Sequence, residues 1–210
     1  MDPYNLLYLS SAIALIGTIS GIIIYTKLRL ASRILGDKSL MLAGLGILVF
    51  GVALAVEGLG NLAFQPTFPE TIPGKRPVEI TSLVINRGTL ISLPLYMISY
   101  VLMAVSHYIG SIEIQPRRKM MAILPAIIIV YVDINILSFM VLVAASYLAI
   151  VKYGKATSPA TLFYMIAGLS HILPAVYTYV GSLEWWLIPL STILRGIAAI
   201  LLLASSFMGK

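Results

Sequence analysis

The sequence contains no cysteine, and charged residues make up only 10% of its 210 residues. Without thiols the chain cannot form a disulfide, an iron–sulfur cluster or a thiolate metal site. Charged side chains make up about a quarter of an average soluble domain, so this composition argues against an ordinary soluble fold. Only four Asn and two Gln are present. A scarcity of these thermolabile residues predicts a thermophilic source, whereas the alternative explanation is that apolar spans exclude Asn and Gln in any protein.

Apolar residues, in contrast, make up 60% of the chain. They are concentrated in seven runs separated by more polar loops. These runs cover residues 5–26, 39–64, 79–110, 120–132, 134–151, 159–181 and 184–208. Most of them are close to the ~20 residues that a helix needs to cross a bilayer. The sequence therefore predicts an all-α polytopic membrane protein with seven transmembrane helices, forming a single bundle over residues 1–210.

The positive charges are distributed unevenly between the loops. Ten of the fourteen Lys and Arg residues lie in alternate loops. The ten are Lys27, Arg29, Arg33, Lys38, Arg117, Arg118, Lys119, Lys152, Lys155 and Lys210. Basic loops stay on the cytoplasmic side during insertion, which predicts a cell-membrane protein with its N-terminus outside and its C-terminus in the cytoplasm. The net charge of +6 then indicates contact with anionic lipid headgroups, and nucleic acid is not a predicted partner.

The stretch 120–151 permits two interpretations. As two helices it contains a first span of about 13 residues, which is short for a bilayer. As one long tilted helix it reduces the protein to six spans and places Lys152 and Lys155 outside. Asp133 and Asn135 interrupt the stretch where a tight outer turn would lie, and the charge pattern favours two helices.

Short matches suggest an internal repeat. Ile-Asn-Arg-Gly at 85–88 is echoed by Ile-Leu-Arg-Gly at 193–196, and Ala-Gly-Leu at 43–45 recurs at 167–169. These matches predict two parallel three-helix repeats joined by a linker helix. The two repeats and the linker would cover 5–110, 134–208 and 120–132, respectively. Transporters often descend from such duplications and bind substrate between the repeats, whereas chance matches between apolar helices are the alternative explanation.

In this three-plus-one-plus-three arrangement and orientation, the chain resembles the SWEET and PQ-loop class of sugar transporters, and also the KDEL-receptor class. The resemblance concerns topology over the whole length. No Pro-Gln dipeptide occurs, and no binding residue can be carried over. Seven helices in this orientation also resemble microbial rhodopsins, but residues 184–208 contain no lysine for a retinal Schiff base, so we reject a retinal pigment.

Ionisable residues inside apolar spans are costly to bury and are therefore candidates for function. Five of them are Glu57, Arg87, His107, His171 and Arg195. Glu57 and Arg87 fall in the outer half of the predicted bundle, at depths that permit an ion pair. Arg195 falls near the midplane, and its candidate partners are Glu57, backbone carbonyls, water or an anionic ligand.

Two spans carry polar and aromatic side chains at helical spacing. The stripe of the third span comprises Ser92, Tyr96, Ser99, Met103 and His107, with Tyr100 alongside. The stripe of the sixth comprises Thr161, Tyr164, Gly168, His171, Ala175, Thr178 and Ser182. Such faces turn inward in a membrane protein, where they would line a polar seam. The alternative is that the hydroxyls only hold helices together, at about 0.6 kcal/mol each.

Two functions are compatible with these features. The leading hypothesis is a transporter or channel for a small polar or anionic solute or for protons. Its pathway residues would be Arg195, Arg87, Glu57, His171, Tyr164, Tyr96 and Ser99. The alternative is a membrane subunit of a larger, respiratory-type complex that binds a quinone, or haem b through His107 and His171, although their unequal depths disfavour haem. A sensor or scaffold without a pathway comes third.

No nucleophile triad, phosphate loop or metal-ligand spacing is present, so neither catalysis nor a metal site is predicted. The lipid bilayer is a predicted partner of such a chain. A second copy of the chain or partner membrane subunits are further predicted partners.

Overall fold

The computed structural model of the protein describes residues 3–63, 77–114, 134–154, 158–180 and 187–208. Within these ranges the chain is helical and has no strand. The helices are α1 (Pro3–Leu35), α2 (Lys38–Ala63), α3 (Pro77–Ile114), α4 (Ile134–Tyr153), α5 (Pro159–Val180) and α6 (Leu187–Met208). Five of these described helices are long and apolar enough to cross a membrane, and α5 contains a shorter apolar stretch. The described chain therefore has the helices of a multi-pass membrane protein.

Six of the predicted spans correspond to these helices, whereas the fourth, 120–132, lies outside the described residues. α1 differs most from its predicted span, 5–26, because the helix continues through the basic segment that follows. Gly36 ends it with a φ of 69°, a left-handed conformation that glycine adopts without a Cβ clash. Asp37 then caps α2 by accepting a hydrogen bond from the backbone N–H of Ser39, at 2.7 Å.

The six described helices are arranged in chain order around a ring. Each helix packs against the one before it and the one after it, and α6 closes the ring by packing against α1. α2 also contacts α6 across the ring. Helices that are distant in the sequence, such as α2 and α6, thereby face a common interior.

α3 and α4 run in the same direction. Met97 of α3 accepts a hydrogen bond from Ser138 near the start of α4. His107, further along α3, contacts the ring of Tyr153 at the end of α4. Both helices therefore begin at one end of the bundle and end at the other. They are parallel although they are consecutive among the described helices.

α1 and α6 are also parallel, and they approach each other closely. Gly17 lies against Gly196, and ten residues later in α1 the Lys27 ammonium donates a hydrogen bond to Ser206, at 3.1 Å. A Cβ placed on Gly196 would lie only 2.8 Å from the carbonyl oxygen of Ile13. The contact therefore requires glycine at this position, directly after Arg195 in the chain.

Basic side chains gather at one end of the ring, where α1 and α4 end and α2 begins. Within the described residues these are Lys27, Arg29, Arg33, Lys38 and Lys152. Asp37 lies among them: hydrogen bonding from Ser39 lowers the pKa of its carboxyl, and the nearby charge of Lys152 lowers it further. We call this the basic end. The position of Lys152 agrees with the two-helix interpretation of 120–151.

Candidate functional site

A buried ion pair joins α2 to α6 inside the ring. Nη1 of Arg195 donates hydrogen bonds to both carboxylate oxygens of Glu57, at 2.7 and 2.9 Å. The two side chains are only 1% and 2% exposed, respectively. Charges taken out of water are tolerated only when they are paired and hydrogen-bonded. Removing either residue would therefore leave the other as a buried charge without its partner.

Hydroxyl groups complete the coordination of the Glu57 carboxylate. The Tyr96 phenol donates to Oε2 at 2.6 Å, and the Thr192 hydroxyl donates to Oε1 at 2.8 Å. These are charge-assisted hydrogen bonds, which are stronger than those between neutral groups. The carboxylate thus binds groups from α3 and α6 at once.

Each nitrogen of the Arg195 guanidinium also has a hydrogen-bond partner. Nε donates to the Ser170 hydroxyl at 3.2 Å, and Nη2 donates to the Ser191 hydroxyl at 2.9 Å. The guanidinium carbon also lies 4.8 Å from the ring centroid of Tyr96, a cation–π contact. All three guanidinium nitrogens have protein partners, so Arg195 is engaged within the bundle and is not presented to a free anion.

A second buried chain runs from α3 through α5 to α4. The Tyr100 phenol lies 2.8 Å from Nε2 of His171, and Nδ1 of that imidazole lies 3.1 Å from Oδ1 of Asn135. Because the Asn135 amide oxygen faces the imidazole, Nδ1 of His171 carries the hydrogen, and Nε2 accepts a hydrogen bond from the Tyr100 phenol. The Tyr96 and Tyr100 rings are stacked with centroids 6.2 Å apart, which places this chain beside the ion pair.

A third polar contact lies nearer the basic end. Nε2 of His107 and the phenol oxygen of Tyr164 are 2.6 Å apart, and the two rings meet edge to face. The other ring nitrogen of His107, Nδ1, is buried and has no hydrogen-bond partner among the described residues. This histidine differs from His171, both of whose nitrogens are bonded.

A cavity of about 300 Å³ extends along the axis of the ring from the basic end. Each of the six described helices contributes to its walls. One residue from each helix is Ile24, Ser39, His107, Tyr153, Tyr164 and Ser205. Its volume falls at the lower end of the range of small-molecule sites.

A layer formed by the rings of Phe163 and Phe50, here called the aromatic layer, separates this cavity from the ion pair. Met103 and Phe163 line the inner end of the cavity. Behind them Phe50 is fully buried, with its ring centroid 5.1 Å from that of Phe163 and 5.2 Å from that of Tyr96. The described interior therefore has two parts, a cavity on the basic side and a closed charge network beyond the aromatic layer.

The burial of the polar stripes is confirmed for the side chains that the structure describes. Those buried in α3 are Ser92, Tyr96, Ser99, Met103 and His107, and those buried in α5 are Thr161, Tyr164, Gly168, His171 and Ala175. The side chains of Arg87, Thr178 and Ser182 lie outside the described part. An Arg87–Glu57 pair is thus untested, while the alternative of an Arg195–Glu57 pair is realised.

Several members of the site were not predicted from the sequence. The sequence alone indicates a turn residue at Asn135, and it does not single out Thr192, Ser170 or Ser191. Ser191 and Thr192 carry a usable signal, because they precede Arg195 by four and three residues and therefore share its helical face.

The two histidines do not share a site. Tyr100, the partner of His171, precedes His107 by seven residues in α3, a separation of about 10 Å along the helix. Each Nε2 atom is hydrogen-bonded to a tyrosine. In the described ranges no group of three His, Cys, Asp or Glu residues is placed to hold a metal ion. Haem b, quinone and partner subunits stay predictions from the sequence.

No protein-family model, curated protein or solved structure matches this chain significantly. The class of the protein is therefore defined by its own fold and site: a helical membrane protein with a closed charge network and an axial cavity. Any more particular assignment has to be argued from the contacts described above.

Proposed function

We propose that this protein is a seven-helix transporter that moves a small solute across the cell membrane by alternating access. The basic end faces the cytoplasm, and the N-terminus lies outside. The observation that carries the proposal is the position of the buried polar contacts, which join the helices before the 115–133 segment to the helices after it. In a transporter built from two halves, such contacts lie where the halves move against each other.

The contacts between the halves occur at two levels. In the outer half of the bundle, Glu57 of α2 binds Arg195 of α6. Nearer the basic end, His107 of α3 binds Tyr164 of α5. The charge network would lock the outer side closed while the cavity is open to the cytoplasm. Breaking the lock and closing the cavity would reverse access.

The directions of the helices support seven spans. α3 ends at the basic end and α4 begins at the opposite end. A helix of 19 residues, the number between Ile114 and Ile134, would reach about 29 Å, close to the ~30 Å hydrocarbon core of a bilayer. A span at 120–132 would also make α1–α3 and α4–α6 parallel repeats, as the sequence matches predict.

Site-specific thiol labelling tests the proposal, because the natural chain has no cysteine. Single cysteines replace Ser92, on the outer side of the aromatic layer, and Ser106, which lines the cavity. Ile98→Cys is the matched control in the same helix, since Ile98 lies on its exposed face. A membrane-impermeant maleimide is applied to each side of oriented vesicles.

Alternating access predicts that the cysteine at 106 reacts from the cytoplasmic side and the cysteine at 92 from the outside. The cysteine at 98 should react from neither side, because it faces lipid. If the cysteine at 92 stays unreactive from the outside while the cysteine at 106 reacts, the bundle has one open side only. That outcome would exclude transport and leave a static cavity.

A further inference from the structure

We propose that the axial cavity binds an amphipathic monoanion. Such a ligand has about ten non-hydrogen atoms in all and carries a carboxylate on an apolar body. The cavity volume of about 300 Å³ sets this size, counting roughly 30 Å³ per atom, which is the share of one water in the liquid. The inference deepens the proposed function, on which it rests for its physiological meaning. The binding itself is argued from the cavity alone.

The inner part of the cavity fits an apolar body. Its walls there are formed by Ile47, Met103 and Phe163, which come from α2, α3 and α5. The Tyr164 phenol is nearby, but its hydroxyl is already bonded to His107. A chain or ring of the ligand would therefore contact carbon and sulfur atoms in this region, as is typical of small-molecule sites.

One deeply buried polar atom in the cavity walls, Nδ1 of His107, has no partner in the described residues. The His107 side chain is only 4% exposed. Buried polar groups are almost always hydrogen-bonded, so this nitrogen is available to a ligand in the cavity. When the Tyr164 phenol donates to Nε2, Nδ1 of His107 carries the hydrogen and becomes a donor. Lys152 supplies a second donor in the same cavity walls, and two donors match a carboxylate.

The charge of the described cavity walls indicates an anion. Lys152 is their one residue with a full positive charge, and no Asp or Glu is among them. Asp37 lies close to Lys152, but it is outside the cavity walls and is hydrogen-bonded by Ser39 through the hydroxyl and the backbone N–H. Arg195 lies beyond the aromatic layer and is neutralised by Glu57.

The polar and apolar walls are separated along the axis. Ser39 lies at the start of α2 and Lys152 near the end of α4, both at the basic end. Met103 and Phe163 lie deeper, against the aromatic layer. A carboxylate at the mouth and an apolar body directed inward would match both regions. A cation would be repelled by Lys152, and a strongly polar solute would find no hydrogen-bond partners on the apolar inner walls.

Binding to the full-length protein in nanodiscs of zwitterionic lipid tests the inference. Equilibrium dialysis compares radiolabelled octanoate with octylamine and 1-octanol, which share its chain and differ in charge. We expect octanoate to bind at least tenfold more tightly than octylamine. Palmitate, supplied in the bilayer, distinguishes a ligand from the membrane from one that enters from water. Equal affinity for octanoate and octylamine would overturn the proposal.

Two substitutions locate the site. Lys152→Gln should weaken octanoate binding five- to tenfold and leave 1-octanol unaffected. Arg33→Gln is the matched control, because Arg33 is at the same end but is exposed and outside the cavity walls. Ala43→Phe should abolish binding of all three probes by filling the cavity. Should this variant fail to fold, His107→Leu serves instead, with a smaller loss for octanoate.

The two proposals fail in different ways. Octanoate binding without the two-sided labelling pattern would retain the ligand class and exclude transport. The two-sided pattern without octanoate binding would retain transport and exclude this ligand. Equal effects of Lys152→Gln and Arg33→Gln would show that the anion binds to the surface of the basic end and not in the cavity.

Discussion

The two histidines of the bundle lie in contrasting environments. His171 is bonded at both ring nitrogens and lies beside the closed network of Glu57 and Arg195, with its ring centroid 5.9 Å from that of Tyr96. His107 is bonded at one nitrogen only, and it lines a cavity. A satisfied buried polar network holds a single arrangement, whereas unsatisfied groups beside a cavity are suited to accept a ligand. The contrast supports the proposal that one region locks the bundle and the other binds a ligand.

The largest expected effect comes from breaking the ion pair. Arg195→Met leaves the Glu57 carboxylate buried without its counter-charge, so we expect unfolding to become easier by about 3–5 kcal/mol. The measurement is reversible unfolding in mixed detergent micelles, followed by circular dichroism. The double variant Glu57→Leu with Arg195→Met is the control. It should recover most of the loss, because two apolar side chains replace the pair. A double variant no more stable than the single one would contradict the assignment.

Removing each imidazole in turn tests the contrast directly. His171→Leu removes two hydrogen bonds, one with the Tyr100 phenol and one with the Asn135 amide oxygen, at about 0.5–1.5 kcal/mol for each bond. His107→Leu removes only the hydrogen bond with the Tyr164 phenol, so its loss should be about half as large. The same unfolding assay measures both. Losses of equal size would mean that the two histidines do not differ in the proposed way.

Added volume should be tolerated in the cavity and not in the core. Ala160 lines the cavity, whereas Ala167, on the same helix, is fully buried in the core. Ala167→Leu should destabilise the protein by about 1–3 kcal/mol through overpacking. Ala160→Leu should change its stability by less than about 0.5 kcal/mol. If Ala160→Leu costs as much as Ala167→Leu, the axial space is not available to a ligand.

The smallest effect concerns the turn outside both regions. Asp37 caps α2, so Asp37→Ala should cost about 0.5–1 kcal/mol at pH 7. The pKa of its carboxyl is lowered by hydrogen bonding from Ser39, so its contribution is present at neutral pH and is lost on acidification. The gap between wild type and variant should therefore shrink as the pH falls through and below ~3.9. A gap that is constant with pH would contradict a capping role for the carboxylate.

The helices and their buried faces could be predicted from the sequence because both depend on local patterns. The α3 stripe from Ser92 to His107 is buried as its spacing predicts. The end of α1 could not be placed from hydropathy, since the helix continues through charged residues until Gly36 adopts a positive φ. Hydropathy reports burial in lipid, whereas a helix ends where the backbone and a capping residue permit.

By itself, the sequence determined that the chain is helical and apolar, and which faces of its helices turn inward. Hydropathy, periodicity and charge placement act over one helix and its loops, so they can be interpreted locally. Only the tertiary structure decided that Arg195 pairs with Glu57, 138 residues away, and that Asn135 bonds His171. The order of the helices around the ring decides which partners are close enough, and a buried charge or amide bonds to the partner that this order places next to it.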